Sequence, residues 1–326
     1  MRSALITGIL GQDGQFLADL LIKKDYKVFG IINGQSQENS VRLLQDFPQI
    51  DLISGDLTDI TSLIRAIEIA KPDEIYNLAA ISFVGMSFAQ PEHTANVTGL
   101  GALRLLEAVR ICGIQESVKI YQASSSEMFG KVQQIPQNEK TSFYPRSPYG
   151  AAKAFAHHCC VNYREAYKMH ISCGILFNHE SEKRGIEFVT RKITNGVAKI
   201  KLGLASELRL GDLTPKRDWG FAGDYVDAMW RMLQQDEPSD FVIATGETHS
   251  VQEFVDLAFK YADLEGQQDK YVVKDERFMR PSEVDVLIGD SSKAKRDLNW
   301  SPKVNFNQLV ERMVTKDIEF ESSKLR

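Results

Sequence analysis

Along the first half of the chain, short continuous apolar runs alternate with stretches in which apolar residues return every three or four positions. The runs Ala4-Leu5-Ile6-Thr7, Val28-Phe29-Gly30-Ile31-Ile32, Ile50-Asp51-Leu52-Ile53-Ser54, Pro72 to Ala80, Lys119-Ile120-Tyr121-Gln122-Ala123 and Ser172 to Phe177 predict strands. Phe16, Leu17, Leu20 and Leu21 repeat at helical spacing and predict a helix from about Gly14 to Lys24 between the first two strands. Strand and helix in regular alternation predict an α/β fold with a parallel sheet.

Past Phe177 the pattern changes. Polar and basic residues crowd Asn178 to Gly185 and predict a departure into a second lobe, whereas Phe241 to Gly246 predict a strand returning to the main sheet. The expected division is therefore interleaved, with residues 1–177 plus about 221–247 binding the nucleotide, and about 178–220 plus 248–326 forming a smaller α/β lobe that binds substrate. No repeat or low-complexity segment interrupts this, and Glu321 to Arg326 read as a frayed polar tail.

Candidate chemistry begins where the first predicted strand ends, at Gly8-Ile9-Leu10-Gly11-Gln12-Asp13-Gly14. Glycines between a strand and a helix permit positive φ and close approach of backbone to a pyrophosphate, while the helix directs its N-terminal N–H groups and dipole at the phosphates. In this setting the glycine triplet predicts a Rossmann-type, doubly wound sheet that binds a dinucleotide.

Composition limits the alternatives. The chain of 326 residues is 43% hydrophobic and 25% charged, enough for a large core, and its net charge of −5 argues against a general nucleic-acid surface. No apolar run approaches the ~18 residues of a membrane span, and the N-terminus lacks a secretory pattern, so a cytoplasmic protein is expected. The four cysteines form no Cys-x-x-Cys pair and read as reduced structural thiols, with no metal expected. His157-His158, with no carboxylate or cysteine at ligand spacing along the chain, read as packing or surface residues.

The sharpest signal is Ser124-Ser125-Ser126-Glu127 followed by Tyr149-Gly150-Ala151-Ala152-Lys153. A Lys ammonium near a phenol favours the phenolate, so Tyr149 beside Lys153 is a candidate base. The spacing places both on one helix face, and Ser147-Pro148 supply an N-cap and a first-turn proline. By itself Tyr-x-x-x-Lys recurs by chance as an exposed helix face. Here it lies downstream of a phosphate-binding turn, with the serines and Glu127 at a strand's C-terminal end, where open parallel sheets bind ligands. That combination suggests chemistry on a sugar nucleotide. Asp56, in Gly55-Asp56-Leu57-Thr58, stands either to cap the next helix or to approach an adenine ring.

Together Gly8 to Gly14, Asn77-Leu78-Ala79-Ala80, Ser124 to Glu127 and Tyr149 to Lys153 resemble the extended short-chain dehydrogenase/reductase superfamily. Within it, Phe143 to Tyr149, Val161-Asn162-Tyr163-Arg164-Glu165, Gly174 to Ser181, Phe188 to Ile193 and Arg217-Asp218-Trp219-Gly220 closely resemble the GDP-mannose 4,6-dehydratase family, and the similarity covers nearly the whole chain. The resemblance implies a redox-neutral dehydration. Tyr149, aided by Lys153, would deprotonate the sugar C4 hydroxyl as hydride leaves C4; Glu127 would take the C5 proton and help expel the C6 hydroxyl; hydride would then return to C6. Ser125 stands where the family usually has Thr and keeps the hydroxyl that bonds Tyr149 and the substrate.

The same mapping implies cofactor contacts from Gly8, Gly11, Gln12, Asp13, Gly14, Arg42, Asp56, Leu57, Leu78, Ala79, Ala80, Tyr149, Lys153, His179 and Arg184. It implies substrate contacts from Ser82, Ser125, Ser126, Glu127, Asn178, Val189, Lys192, Arg217, Arg280 and Glu283. One departure concerns the cofactor. Where the family carries an Arg-Arg pair for the 2′-phosphate of NADP and for a neighbouring subunit, this chain has Gly34-Gln35, while Asn33 is not the acidic residue that selects NAD. The resemblance implies NADP, with NAD as the alternative, and a homodimer or homotetramer. GDP-D-mannose is the expected substrate. GDP-D-glycero-D-manno-heptose is the runner-up, should the pocket near Ser82 to Met86 be roomier. A 4-ketosugar reductase or epimerase has no need of Glu127, and a silent nucleotide-binding regulator has no need of the full set.

Overall fold

The computed structural model describes residues 1–34, 37–278, 284 and 286–325. The first half alternates β1 (Ser3–Thr7), α1 (Gln12–Ile22), β2 (Lys27–Ile32), α2 (Gln37–Asp46), β3 (Asp51–Ser54), α3 (Ile60–Ala70) and β4 (Glu74–Asn77). Two short helices, α4 (Val84–Ala89) and α5 (Pro91–Thr94), lead through a π-helical stretch, Ala95–Leu100, into α6 (Gly101–Ile111). Then come β5 (Lys119–Ser125), a single 3-10 turn (Ser126–Met128), α7 (Pro148–Tyr167) and β6 (His170–Leu176).

The second half holds β7 (Asn178–Glu180), α8 (Val189–Lys201), β8 (Leu208–Leu210), β9 (Lys216–Arg217), β10 (Trp219–Phe221), α9 (Ala222–Leu233) and β11 (Asp240–Ile243). It closes with β12 (His249–Ser250), α10 (Val251–Tyr261), α11 (Gln268–Tyr271), β13 (Val272–Lys274), β14 (Val286–Leu287), α12 (Ser292–Leu298) and α13 (Phe306–Ser323).

Seven strands form one parallel sheet in the order β11-β6-β5-β4-β1-β2-β3. Its direction of winding reverses at β1, which has β2 on one side and β4 on the other, so the crevice beyond β1 and β4 is where such a sheet takes a ligand. The sheet is buried on both faces. Ala4, Ile6, Tyr76, Tyr121 and Ile243 pack with Leu17 and Leu21 of α1 and Met229 of α9, while Leu5, Ile75, Ile120 and Ile171 pack with Leu63 of α3, Leu105 of α6 and Cys160 of α7. A separate apolar cluster joins Ile193 and Val197 of α8, Trp219, Phe254 and Phe259 of α10, and Met313 of α13.

The strands fall where the apolar runs predicted them, and β11 joins the main sheet beside β6. Two boundaries differ. Helix α1 begins at Gln12 rather than near Gly14, because Gly11 in extended conformation (φ −72°, ψ 171°) serves as its N-cap. The expected frayed tail starts later than Glu321, because α13 runs to Ser323 and the buried Glu321 accepts a hydrogen bond from Asn195 Nδ2 at 2.8 Å. Among the described residues no helix is long and apolar enough to cross a membrane, and the four cysteines are free thiols.

Candidate active site

The glycine turn is built by backbone crowding. Gly8 sits at φ +72°, and a Cβ there would stand 2.9 Å from the backbone of Ala79; a Cβ on Gly14 would stand 2.5 Å from Gly8 O. Both glycines therefore let β1, α1 and the end of β4 approach one another. Gly11 differs. A Cβ on it would meet only Gly8 O, at 3.2 Å, and as N-cap it offers α1 no side-chain acceptor. The turn above α1 is thus open, with the helix N-terminus facing it, an arrangement suited to an anion.

Side chains then tie this turn to the second half of the molecule. His179 Nε2 lies 2.7 Å from Asp13 Oδ2 and His179 Nδ1 lies 2.8 Å from Phe177 O. Gln12 Nε2 donates to His179 O at 3.0 Å, and Ser181 Oγ donates to Gln12 Oε1 at 2.7 Å. Burial alone would raise the Asp13 carboxyl and lower the imidazole, but the pairing outweighs it, so Asp13 lies below and His179 above its ordinary value.

The second cluster gathers at the end of β5. Ser125 closes the strand and its Oγ accepts from the Glu127 N–H at 3.2 Å, which starts the 3-10 turn and turns Glu127 inward to 7% exposure. Helix α7 begins as expected, with Ser147 Oγ accepting from Gly150 N at 3.0 Å and Pro148 in the first turn. Gly150 allows the contact between the two pieces. A Cβ there would stand 2.6 Å from Glu127 O, so any larger residue would push α7 off the turn that carries Glu127. Tyr149 and Lys153 are buried one helical turn apart, and Lys153 Nζ donates to Ala123 O at 2.6 Å.

The electrostatics correct one expectation. Burial drives Tyr149 up to about 12, against an opposing hydrogen-bond interaction with Ser125 and the smaller pull of Arg184. Burial also draws Lys153 down to about 8. The Lys153 ammonium, which donates to Ala123 O and lies 5.8 Å from the Tyr149 ring centroid, does not offset the burial of the phenol when no ligand is bound. Without a ligand, Tyr149 is a protonated phenol. The desolvation penalty on phenolate exceeds what the neighbouring cations return.

A wall near these groups comes from an aromatic pair that joins the segment after β4 to the start of α8. Phe83 meets Phe188 edge-on at 5.7 Å, and the Arg184 guanidinium lies 3.6 Å from the Phe188 ring centroid. Arg184 also pairs with Glu180 at 3.1 Å and acts electrostatically on Tyr149 and Asp13. The wall thus joins the two halves of the chain.

A sequence model of the family described as GDP-mannose 4,6 dehydratase matches residues 5–313. The chain belongs to this family. It is 53% identical to the GDP-mannose 4,6 dehydratase of Homo sapiens over 97% of this chain and 91% of the relative, and 52% identical to that of Drosophila melanogaster over 98% and 86%. Among solved structures, dTDP-glucose 4,6-dehydratase DesIV of Streptomyces venezuelae with NAD and TYD bound superposes with a TM-score of 0.85 at 21% identity, covering 98% of each chain. RMD of Pseudomonas aeruginosa in complex with NADPH gives 0.81 at 22% identity, covering 98% of this chain and all of the other. These structural likenesses concern the fold.

Within this dehydratase scaffold the residues singled out in the sequence divide into three sets. Gly8, Gly11, Gln12, Asp13, Gly14, Ala79, His179 and Arg184 gather around the α1 turn, and Ser125, Ser126, Glu127, Tyr149 and Lys153 around the end of β5. Leu78 and Ala79 give their N–H groups to Thr7 Oγ1, both at 3.1 Å, and Ala80 follows in the same half-buried segment. Ser82 is exposed, Asn178 opens β7, and Val189 is 38% exposed at the start of α8.

The remaining residues have these surroundings. Leu57 is buried against Gly101, whose Cβ would stand 2.8 Å from it, so its side chain belongs to the core. Asp56 does not cap α3, because Asp59 does, accepting from Thr61 N at 3.0 Å, while Asp56 binds Thr58. Arg217 is buried, with Nη1 donating to Lys216 O and Val284 O, both at 2.8 Å. Lys192 lies over Phe278 at 3.3 Å from the ring centroid, and Arg42 is exposed on α2. Gln35, Arg280 and Glu283 lie outside the described residues.

Of the two readings given for His157, packing or surface, the structure has the buried one, and it adds neighbours that the helix itself does not supply, Cys173 of β6 and Asp240 of β11. The available signal was its place four residues after Lys153.

Proposed function

We propose that the chain converts GDP-D-mannose to GDP-4-dehydro-6-deoxy-D-mannose and water. The observation that carries this reading is a buried carboxylate, Glu127, held beside Ser125 and Tyr149 at the end of β5: elimination needs such a base, and a simple ketone reduction does not. Relatives at about half identity over nearly the full length carry the mannose name, which supports mannose over manno-heptose.

A nicotinamide dinucleotide, when bound, supplies acceptance and later return of a hydride. The open Gly11 turn and the uncapped N-terminus of α1 fit its pyrophosphate. Tyr149, its phenolate favoured by the positive charge of the oxidised nicotinamide when bound, takes the C4 hydroxyl proton, while the charged Lys153 supports it and Ser125 orients both hydroxyls. Once C4 is a ketone, the C5 proton is acidic. Glu127 removes it and passes it to the departing C6 hydroxyl, so that water leaves and a C5–C6 double bond conjugated to the C4 ketone remains. Addition of the returned hydride at C6 and of a proton from solvent at C5 then gives the 4-dehydro-6-deoxy sugar with no net oxidation. We take NADP as the cofactor, from the likeness to the family, with Asn33 and Gly34 at the end of β2 and Arg42 near by on α2. The interleaved two-lobe division, a homodimeric or homotetrameric assembly and a cytoplasmic site belong to the same reading. The separate cluster around Phe254 and Met313 supports the second lobe.

The test is incubation of the purified protein with GDP-mannose, and in parallel with GDP-manno-heptose, without added reductant. Loss of one water from the mannose substrate is expected; no change with either substrate would sink the proposal. Denaturing the protein and identifying the released dinucleotide decides the cofactor, with NAD alone overturning NADP.

A further inference from the structure

One row of the sheet is polar across five strands. Thr7, Asn77, Gln122, Cys173 and Asp240 stand in register across β1, β4, β5, β6 and β11. The first three are joined side chain to side chain, Thr7 Oγ1 donating to Asn77 Oδ1 at 2.7 Å and Asn77 Nδ2 to Gln122 Oε1 at 2.8 Å. The other end of the row is covered by His157.

That residue continues a stripe. Tyr149, Lys153 and His157 follow at intervals of four on one face of α7. Lys153 Nζ binds Ala123 O at 2.6 Å, and His157 Nδ1 lies 2.9 Å from Ser124 Oγ. Two consecutive residues of β5 are therefore stitched to two consecutive turns of the helix, and the next residue of β5 is Ser125. Behind His157, Nε2 lies 3.8 Å from Asp240 Oδ2, and Cys173 Sγ stands within 4.8 Å of both residues' ligand atoms. Asp240 is itself fixed, with Arg164 of the same helix donating to both its oxygens at 2.8 and 3.1 Å. Phe143 closes the side, edge-on to the imidazole at 5.2 Å, and His158 stands next to it at 5.8 Å.

The His157, Cys173 and Asp240 ligand atoms lie within 4.8 Å of one another, the spacing of a metal site. Arg164 holds both Asp240 oxygens and Ser124 takes the other imidazole nitrogen, so the cluster is closed by its own ion pair. We infer that His157 is a positioning residue for the dehydration, locking the register of α7 on β5 so that Tyr149, Ser125 and Glu127 meet. The inference rests on the catalytic reading of those three residues.

The experiment measures kcat and KM for GDP-mannose in His157→Ala, His157→Asn and Ser124→Ala, beside Tyr149→Phe. Asn carries an amide atom at the position of Nδ1 and keeps the Ser124 bond. His157→Ala is expected to lose about 10–100-fold in kcat, as misplacement of reacting groups does, with KM within about twofold and most of the loss recovered in His157→Asn. Ser124→Ala, which removes the same rung from the strand side, is expected to fall similarly and decides the matter if His157→Ala is insoluble. Wild-type kcat in the alanine variants, a proportional rise in KM, or an Asn variant as impaired as Ala would overturn the inference. Restoration of chelator-treated wild type by zinc would also overturn it, making the cluster a metal site. Should Tyr149→Phe stay active, the catalytic reading itself fails; should it alone be inactive, only the positioning role does.

Discussion

His179 bridges Asp13 and the Phe177 carbonyl, with Nε2 at 2.7 Å from the carboxylate and Nδ1 at 2.8 Å from the carbonyl oxygen. Both partners are acceptors when Asp13 is ionised, so both ring nitrogens donate and the imidazole is a cation. The bond joins the first turn of α1 to β7 and thereby holds the glycine turn against the second half of the chain.

This pair makes stability depend on pH in a defined window. Asp13 lies below its ordinary 3.8, so its contribution is present above that value and lost as pH falls through the folded value. His179 lies above its ordinary 6.5, so its contribution is full below 6.5 and lost as pH rises through the folded value. The stability difference between wild type and an Asp13→Asn/His179→Gln double variant, read by urea unfolding, should therefore peak between about pH 4 and 6.5. Replacing only Asp13 by Asn strands a largely buried cation and should cost about 3 kcal/mol. A difference flat from pH 3 to 9 would contradict the imidazolium.

Lys153 is held charged at a cost. Burial brings it to about 8, against 10.5 in the unfolded chain, so the unfolded state binds more protons between those values and stability should rise with pH across that range. By urea unfolding at pH 7, Lys153→Met is expected to be no less stable than wild type and up to ~2 kcal/mol more stable, once the lost bond to Ala123 O is offset. Its dehydratase activity should fall by at least ~100-fold. A destabilised variant with normal activity would refute both statements.

Glu127→Gln keeps the shape of the site and removes the base. Turnover should drop by about 10²–10⁴, while GDP-mannose affinity, followed by calorimetry, stays within about threefold. Unchanged turnover would remove Glu127 from the mechanism.

Gly150→Ala should fail for a reason of packing. The added methyl meets Glu127 O at 2.6 Å, backbone against helix, so the turn or α7 must move. A loss of about 1–3 kcal/mol in stability is expected, together with a drop in kcat. Gly34→Ala has nothing within 4 Å to meet and should be as stable as wild type, making it the control.

The apolar runs placed the strands of the main sheet, the glycine triplet marked the phosphate turn, and Ser147-Pro148 set the start of α7, because each depends on interactions within a few residues. The Ser125, Glu127, Tyr149 and Lys153 set was legible for the same reason, as two local motifs at a strand end and a helix start. What the local pattern left undecided was how these groups are charged and held. Sequence proximity implied that Lys153 would lower the Tyr149 pKa, yet burial, a property of the folded surroundings, pushes it to about 12. The charge on His179 depends on Asp13, 166 residues away, and the role of His157 on Cys173 and Asp240, delivered by two other strands. The chain alone determined which residues are the candidates for the chemistry and which strands and helices present them. Desolvation and long-range pairing, which exist only once distant segments pack, decided their protonation and their alignment.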